Sequence, residues 1–138
     1  MSRPAHALLL AGTLLIPTTS LAAETPAEEL RQLARCAIGS GAYKTITGPK
    51  GWAQAPAEAK ALTARMAAVE DALMRRVDQL SAGMDQAAFD VATKPAVVEM
   101  HGVIDSAKDD AEAEHRAGLA YYRPVLEACV TRGEALGG

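Results

Sequence analysis

The sequence predicts an all-α fold, a small four-helix up-and-down bundle. Residues 57–82 place apolar side chains at alternating spacings of three and four, which is the period of a helix with one buried face. The chain is also rich in alanine, which favours helices and their close approach, while only 4% of its residues are aromatic. The apolar positions of this central stripe are Leu62, Met66, Val69, Leu73, Val77 and Leu80.

Residues 1–23 have the three-part pattern of a cleaved secretory signal peptide. Arg3 supplies a basic start, an apolar run follows, and small residues then allow cleavage after Ala22 or after Ala23. The apolar run is too short to cross a bilayer comfortably, which takes ~20 residues. We therefore expect residues 24–138 to be a single periplasmic or secreted domain without a stable membrane anchor. The alternative is an uncleaved N-terminal anchor.

The charge of the mature chain bears on its partners. Removal of Arg3 with the signal peptide leaves 13 of the 14 basic side chains, against 17 acidic ones. No basic face stands out in the sequence, and this argues against nucleic acid or anionic lipid as the main partner.

The first mature helix begins at the segment Thr25-Pro26-Ala27-Glu28. A capping threonine precedes a first-turn proline, and a glutamate follows the threonine by three residues. We expect this helix to end near Ile46, because residues 47–56 are rich in glycine and proline and so predict a loop. One edge of the helix carries Leu33, Cys36, Ser40 and Tyr43.

The second helix carries the central stripe and is predicted between Pro56 and Gly83. Gly83 lies where a left-handed C-terminal cap is usually found. Asp85 is expected to cap a third helix, which Pro95 either ends or kinks. The spacing of Ser106 and Asp109 predicts that the fourth helix begins near Ala107 and that Pro124 kinks it. The inner face of this last helix is predicted to carry Leu119, Tyr122, Leu126, Cys129 and Leu136.

Cys36 and Cys129 are the two cysteines of the chain. In an exported protein an even number of cysteines favours a disulfide, and both positions fall on inner edges of the terminal helices. Neither lies in a C-x-x-C or C-x-x-C-H segment, so redox chemistry and covalent haem attachment are disfavoured. We expect an intramolecular Cys36–Cys129 bond. Two buried thiols and an intermolecular bond are the alternatives.

Trp52 is the single tryptophan and lies in the predicted loop. Tryptophan is enriched where proteins bind partners, so Trp52 is a candidate partner-binding residue. The alternative interpretation has Trp52 folding back to cover one end of the bundle, because large aromatic side chains are mostly buried.

The polar stretch around the junction of the third and fourth helices contains the candidate metal ligands. These are His101, Glu112 and His115, of which Glu112 and His115 form an E-x-x-H spacing. Di-iron bundles need two such motifs, and this chain has one. We predict no resident cofactor and no metal, and keep a non-covalent metal or haem site at these three residues as the alternative function.

The motifs of common enzymes are missing from the sequence. The serines lie outside any G-x-S-x-G segment, and no glycine-rich loop leads into lysine and serine or threonine. We therefore expect an exported protein without enzymatic activity that binds another protein or the envelope. Its contact surface is expected at the Trp52 loop or at the acidic stretch 105–115. The sequence pattern specifies neither the partner nor the oligomeric state.

Overall fold

The predicted fold class is confirmed by a computed structural model, which describes residues 23–137. That part of the chain forms four α-helices and no strand. The predicted signal peptide, apart from Ala23, lies outside the described residues. Within residues 23–137 no helix is long and apolar enough to cross a membrane. The helices are α1 (Pro26–Thr47), α2 (Ala57–Ser81), α3 (Gln86–Asp105) and α4 (Ala111–Ala135).

The first and last helices form the centre of the bundle. α1 and α4 each pack against all three other helices, whereas α2 and α3 make almost no contact with each other. α1 and α4 run antiparallel, because Cys36 bonds to Cys129 while the Tyr43 hydroxyl reaches the backbone of Leu119. α2 and α3 therefore lie on opposite sides of the α1–α4 pair.

The disulfide joins the two central helices, as predicted. The Cα atoms of Cys36 and Cys129 are 5.8 Å apart, and both residues are buried. Leu136, predicted on the inner face, is 40% exposed because α4 ends one residue before it. The buried core around the disulfide includes Leu33, Tyr43, Leu62, Met66, Val69, Leu73, Leu119, Tyr122, Leu126 and Val130.

Two of the predicted helix caps are confirmed, and the start of α4 is corrected. Thr25 and Glu28 form a reciprocal capping box on α1, and the Asp85 carboxylate accepts the Ala88 amide on α3 at 2.8 Å. α4 does not begin near Ala107 with Ser106 as its cap. Its cap is Asp110, whose carboxylate accepts two amides of the first turn, while Ser106 ends α3.

The ends of α2 also differ from the usual signals. Pro56 is the N-terminal capping residue of α2, and no side chain caps this end of the helix. Gly83 does not adopt a left-handed conformation, because Ala82 continues the right-handed backbone and a turn from Ser81 to Met84 follows.

Neither internal proline breaks its helix. α3 runs through Pro95 and α4 runs through Pro124. A proline removes the donor for the carbonyl four residues earlier, here Val91 and Ala120. Both of those residues are exposed, so water can take the place of the missing donor.

Two glutamates tie α2 to α1. Glu29 accepts two hydrogen bonds from the Arg76 guanidinium, at 2.6 and 2.8 Å, and these hold the pKa of Glu29 below its ordinary value although burial opposes the shift. Glu70 pairs with Lys44 and accepts the Ser40 hydroxyl at 2.7 Å, and both contacts lower the pKa of Glu70. These contacts fix the position of α2, which forms one wall of the site described next.

Candidate ligand cleft beside Trp52

Trp52 folds back onto the end of the bundle where α1 ends and α2 begins. Its amide donates to the Ile46 carbonyl at 2.8 Å, which closes the loop against α1. The indole packs on the core and stacks on the His115 ring, with centroids 5.9 Å apart and an angle of 26° between the planes. The guanidinium carbon of Arg116 lies 5.3 Å from the indole centroid, within the range of a cation–π contact. Trp52 thus covers this end of the bundle while remaining partly exposed.

An open cleft of about 400 Å³ lies beside Trp52, between α2 and α4. Its volume falls within the range usual for small-molecule sites. The floor and walls are largely apolar, because the inner faces of both helices meet there. The apolar and aromatic groups that line it include Tyr43, Trp52, Ala59, Leu62, Leu119 and Ala120.

Three arginines and two glutamates supply the charge of the cleft. Arg65 comes from α2, and Arg116 and Arg123 come from α4. The glutamates are Glu58 and Glu127. The residues that line the cleft therefore carry one more positive than negative charge, although Arg116 is also paired with Glu112 just outside the lining.

Two of these arginines are already paired, but only with exposed neighbours on their own helix. Arg116 pairs with Glu112, and Arg123 pairs with Glu127 at 3.2 Å, both at a spacing of four residues. Exposed pairs of this kind contribute little to stability, about 0.3–0.5 kcal/mol. Arg65 makes no salt bridge with any residue from 23 to 137.

Tyr43 lies at the base of the cleft and has a structural contact there. Its hydroxyl donates to the Leu119 carbonyl at 2.7 Å, which links α1 to α4. Burial raises the pKa of Tyr43 above its ordinary value, so the phenol is neutral at physiological pH. Because its proton is donated to a backbone carbonyl, the neutral phenol of Tyr43 has a structural role at the base of the cleft.

The three predicted metal ligands do not come together as a ligand set. Glu112 pairs with Arg116, the His115 ring stacks on Trp52, and His101 is an exposed residue of α3. In the part of the chain that the structure describes, no group of three or more histidine, cysteine, aspartate or glutamate residues could hold a metal ion. The metal or haem alternative stays a prediction that this geometry does not favour.

The arginine cluster is the feature that the sequence pattern did not indicate. Arg65 is far in sequence from Arg116 and Arg123. Each of the three arginines occupies an ordinary exposed position of its helix. The seven-residue spacing of the α4 pair was the one available signal, since residues two turns apart share a helix face. Comparison with known proteins found no matching family model, no similar curated protein and no similar solved structure.

Proposed function

We propose that the chain is an exported interaction module without enzymatic activity, which binds its partner at the cleft beside Trp52. The observation that carries this proposal is the indole itself. Contacts with His115 and Arg116 hold it at the edge of an open cleft, with part of its surface exposed. An aromatic side chain that is already ordered loses little conformational entropy on binding, which favours its use as an anchor.

The lining of the cleft supports binding rather than catalysis. Guanidinium groups stay protonated and cannot act as general bases at physiological pH. Tyr43 directs its proton to the Leu119 carbonyl, and Glu127 pairs with Arg123. Glu58 makes no salt bridge with a described residue, but no histidine, serine, threonine or cysteine lines the cleft beside it. These side chains offer shape, apolar surface and charge.

The disulfide supports a location outside the cytoplasm. Structural disulfides form and persist in oxidising compartments such as the periplasm. Cys36 and Cys129 are both buried in the bond that joins α1 to α4. We therefore place the mature protein, residues 24–138 as predicted, in the periplasm or the secreted fraction.

Substitution of Trp52 tests the proposal. The purified mature chain is immobilised and exposed to a periplasmic extract of the producing cell, and Trp52→Ala is compared with Tyr121→Ala. Tyr121 is an exposed aromatic residue of α4 that does not line the cleft, so it is the matched control. We expect Trp52→Ala to lose the specifically retained partner and Tyr121→Ala to keep it.

Thermal unfolding of both variants separates binding from stability. The proposal requires the Trp52→Ala chain to stay folded at the temperature of the binding assay. It also requires Arg65→Glu, an exposed change at the same cleft, to weaken retention. Retention that is unaffected by both Trp52→Ala and Arg65→Glu would overturn the proposal.

A further inference from the structure

We infer that the cleft beside Trp52 binds an amphipathic organic anion, a carboxylate joined to an apolar body. The inference rests on the proposed function and names the ligand class for the same site. Two features of the cleft point to this class. Its walls are largely apolar, and three of its five charged groups are guanidinium groups, contributed by both helices.

The walls account for the apolar part of the ligand. Leu62 on α2 and Leu119 on α4 line the cleft together with Trp52, and the cleft holds about 400 Å³. Burial of a methylene group strengthens binding by about fourfold. An apolar body therefore provides affinity that an inorganic anion cannot obtain from the same exposed site.

The guanidinium groups account for the charge of the ligand. Arg65 has no salt-bridge partner among residues 23–137, and it reaches the cleft from the wall formed by α2. Arg116 and Arg123 line the opposite wall, two helical turns apart. A guanidinium binds a carboxylate through two parallel hydrogen bonds, so a carboxylate suits this rim better than a cationic or neutral group.

The glutamates of the cleft are weak competitors for these arginines. Glu127 is exposed and holds Arg123 through one contact at 3.2 Å. Glu58 lies in the first turn of α2, where the helix dipole favours a negative charge, and it makes no salt bridge with any described residue. A ligand carboxylate can therefore reach Arg65 without displacing a salt bridge.

The single tryptophan makes the test direct, because the fluorescence of the mature chain from Trp52 reports on the cleft. The chain is titrated with decanoate and decyltrimethylammonium below their critical micelle concentrations, and with decanol below its solubility limit. We expect saturable binding of decanoate, about tenfold or more tighter than binding of the cation, since hydrogen bonds to charged groups are strong. Octanoate should bind more weakly than decanoate, by about fourfold for each methylene removed. Equal affinity for all three decyl compounds, or no saturable decanoate binding, would overturn the inference.

Variants assign the charge preference to particular residues. Arg65→Gln should weaken decanoate binding by about tenfold and leave decanol binding unchanged. Arg75→Gln is the matched control, because Arg75 is also an exposed arginine of α2 but does not line the cleft. Glu127→Gln should strengthen decanoate binding, because it frees the Arg123 guanidinium. Identical behaviour of Arg65→Gln and Arg75→Gln would contradict the assignment.

Vesicles distinguish a free amphiphile from a membrane lipid as the source of the anion. The mature chain is sedimented with phosphatidylcholine vesicles, with and without phosphatidylglycerol. Sedimentation that needs both phosphatidylglycerol and Arg65, without saturable decanoate binding, would overturn the inference, because the anion of phosphatidylglycerol is a phosphate diester. Decanoate binding without sedimentation supports a free carboxylate ligand. Partner retention that depends on Trp52 but persists without decanoate binding would overturn this inference alone. If the unmodified chain shows neither partner retention nor decanoate binding, the proposed function is overturned as well.

Discussion

Two tyrosines lie equally deep in the bundle but differ in the contacts of their hydroxyl groups. Tyr43 and Tyr122 are each 2% exposed. The Tyr43 hydroxyl donates to the Leu119 carbonyl, whereas the Tyr122 hydroxyl is buried and has no hydrogen-bond partner among the described residues. A buried polar group without a partner costs free energy, whereas a buried hydrogen bond makes a modest net contribution to stability.

Substitution of each tyrosine by phenylalanine therefore has different expected results. Tyr43→Phe should lower the free energy of unfolding by about 1 kcal/mol, because the Leu119 carbonyl loses a buried donor. Tyr122→Phe should leave the free energy of unfolding unchanged or raise it, because it removes an unpaired hydroxyl from the interior. Urea unfolding of the two variants measures both values. Equal losses would contradict this account and indicate an internal water at Tyr122.

The disulfide and the arginine cluster show what the sequence can reveal at the scale of single residues. The Cys36–Cys129 bond was predictable, because the even number of cysteines, the predicted export signal and the inward-facing helix positions all favour it. That Arg65 lines the same cleft as Arg116 and Arg123 was not predictable. It depends on how α2 packs against α4, and no local pattern specifies that packing.

At the scale of helices, capping chemistry predicted the starts of α1 and α3 correctly. The side chains of Thr25 and Asp85 each accept a hydrogen bond from the backbone amide three residues later, as expected of an N-terminal cap. The predicted start of α4 was wrong, because Ser106 and Asp110 both lie in the polar connection between α3 and α4 and the side chain of either residue could cap a helix. The structure uses Ser106 for the end of α3, where its hydroxyl donates to the Val103 carbonyl at 2.7 Å.

The approach of α2 to α4 depends on a glycine. A Cβ atom added at Gly133 would lie 2.5 Å from the Cβ of Val69 on α2. The β-branched side chain of Val69 is stiff, so the clash could be relieved only by movement of the helices. Gly41 in α1 has no heavy atom within 4 Å of such a position.

These two glycines form a matched pair for a stability measurement. Gly133→Ala should destabilise the fold by about 1–3 kcal/mol, because overpacking outweighs the helix propensity of alanine. Gly41→Ala should stabilise it by up to about 1 kcal/mol, because alanine favours the helix and meets no neighbour. Thermal unfolding of each variant checks the signs. Stabilisation by Gly133→Ala would show that α2 and α4 do not approach as closely as described.

At the scale of the whole molecule, the sequence predicted a bundle but not which helices pack together. α2 and α3 are consecutive in the chain and yet lie on opposite sides of the α1–α4 pair. α3 buries only Ala92 and Ala96, and its Val91 is 75% exposed although valine is apolar. Apolar periodicity shows that a helix has an inner face, but it does not show which neighbour covers that face.

We propose that this chain, closed by the Cys36–Cys129 disulfide, is exported before it binds its partner. The most direct measurement is the intact mass of the protein from the producing cell, which is lysed in the presence of a thiol-alkylating reagent. The mass is recorded before and after reduction in the absence of further alkylation. The reagent labels any thiol that is free in the cell, so a bond formed after lysis cannot be mistaken for a native one.

We predict an unlabelled chain that begins at Ala23 or Glu24 and gains the mass of two hydrogen atoms on reduction. That result would establish cleavage of the signal peptide and the Cys36–Cys129 bond in the same molecule. A chain that retains residues 1–22 and carries the label on both cysteines would contradict the account, because it would show a protein that was neither processed nor oxidised.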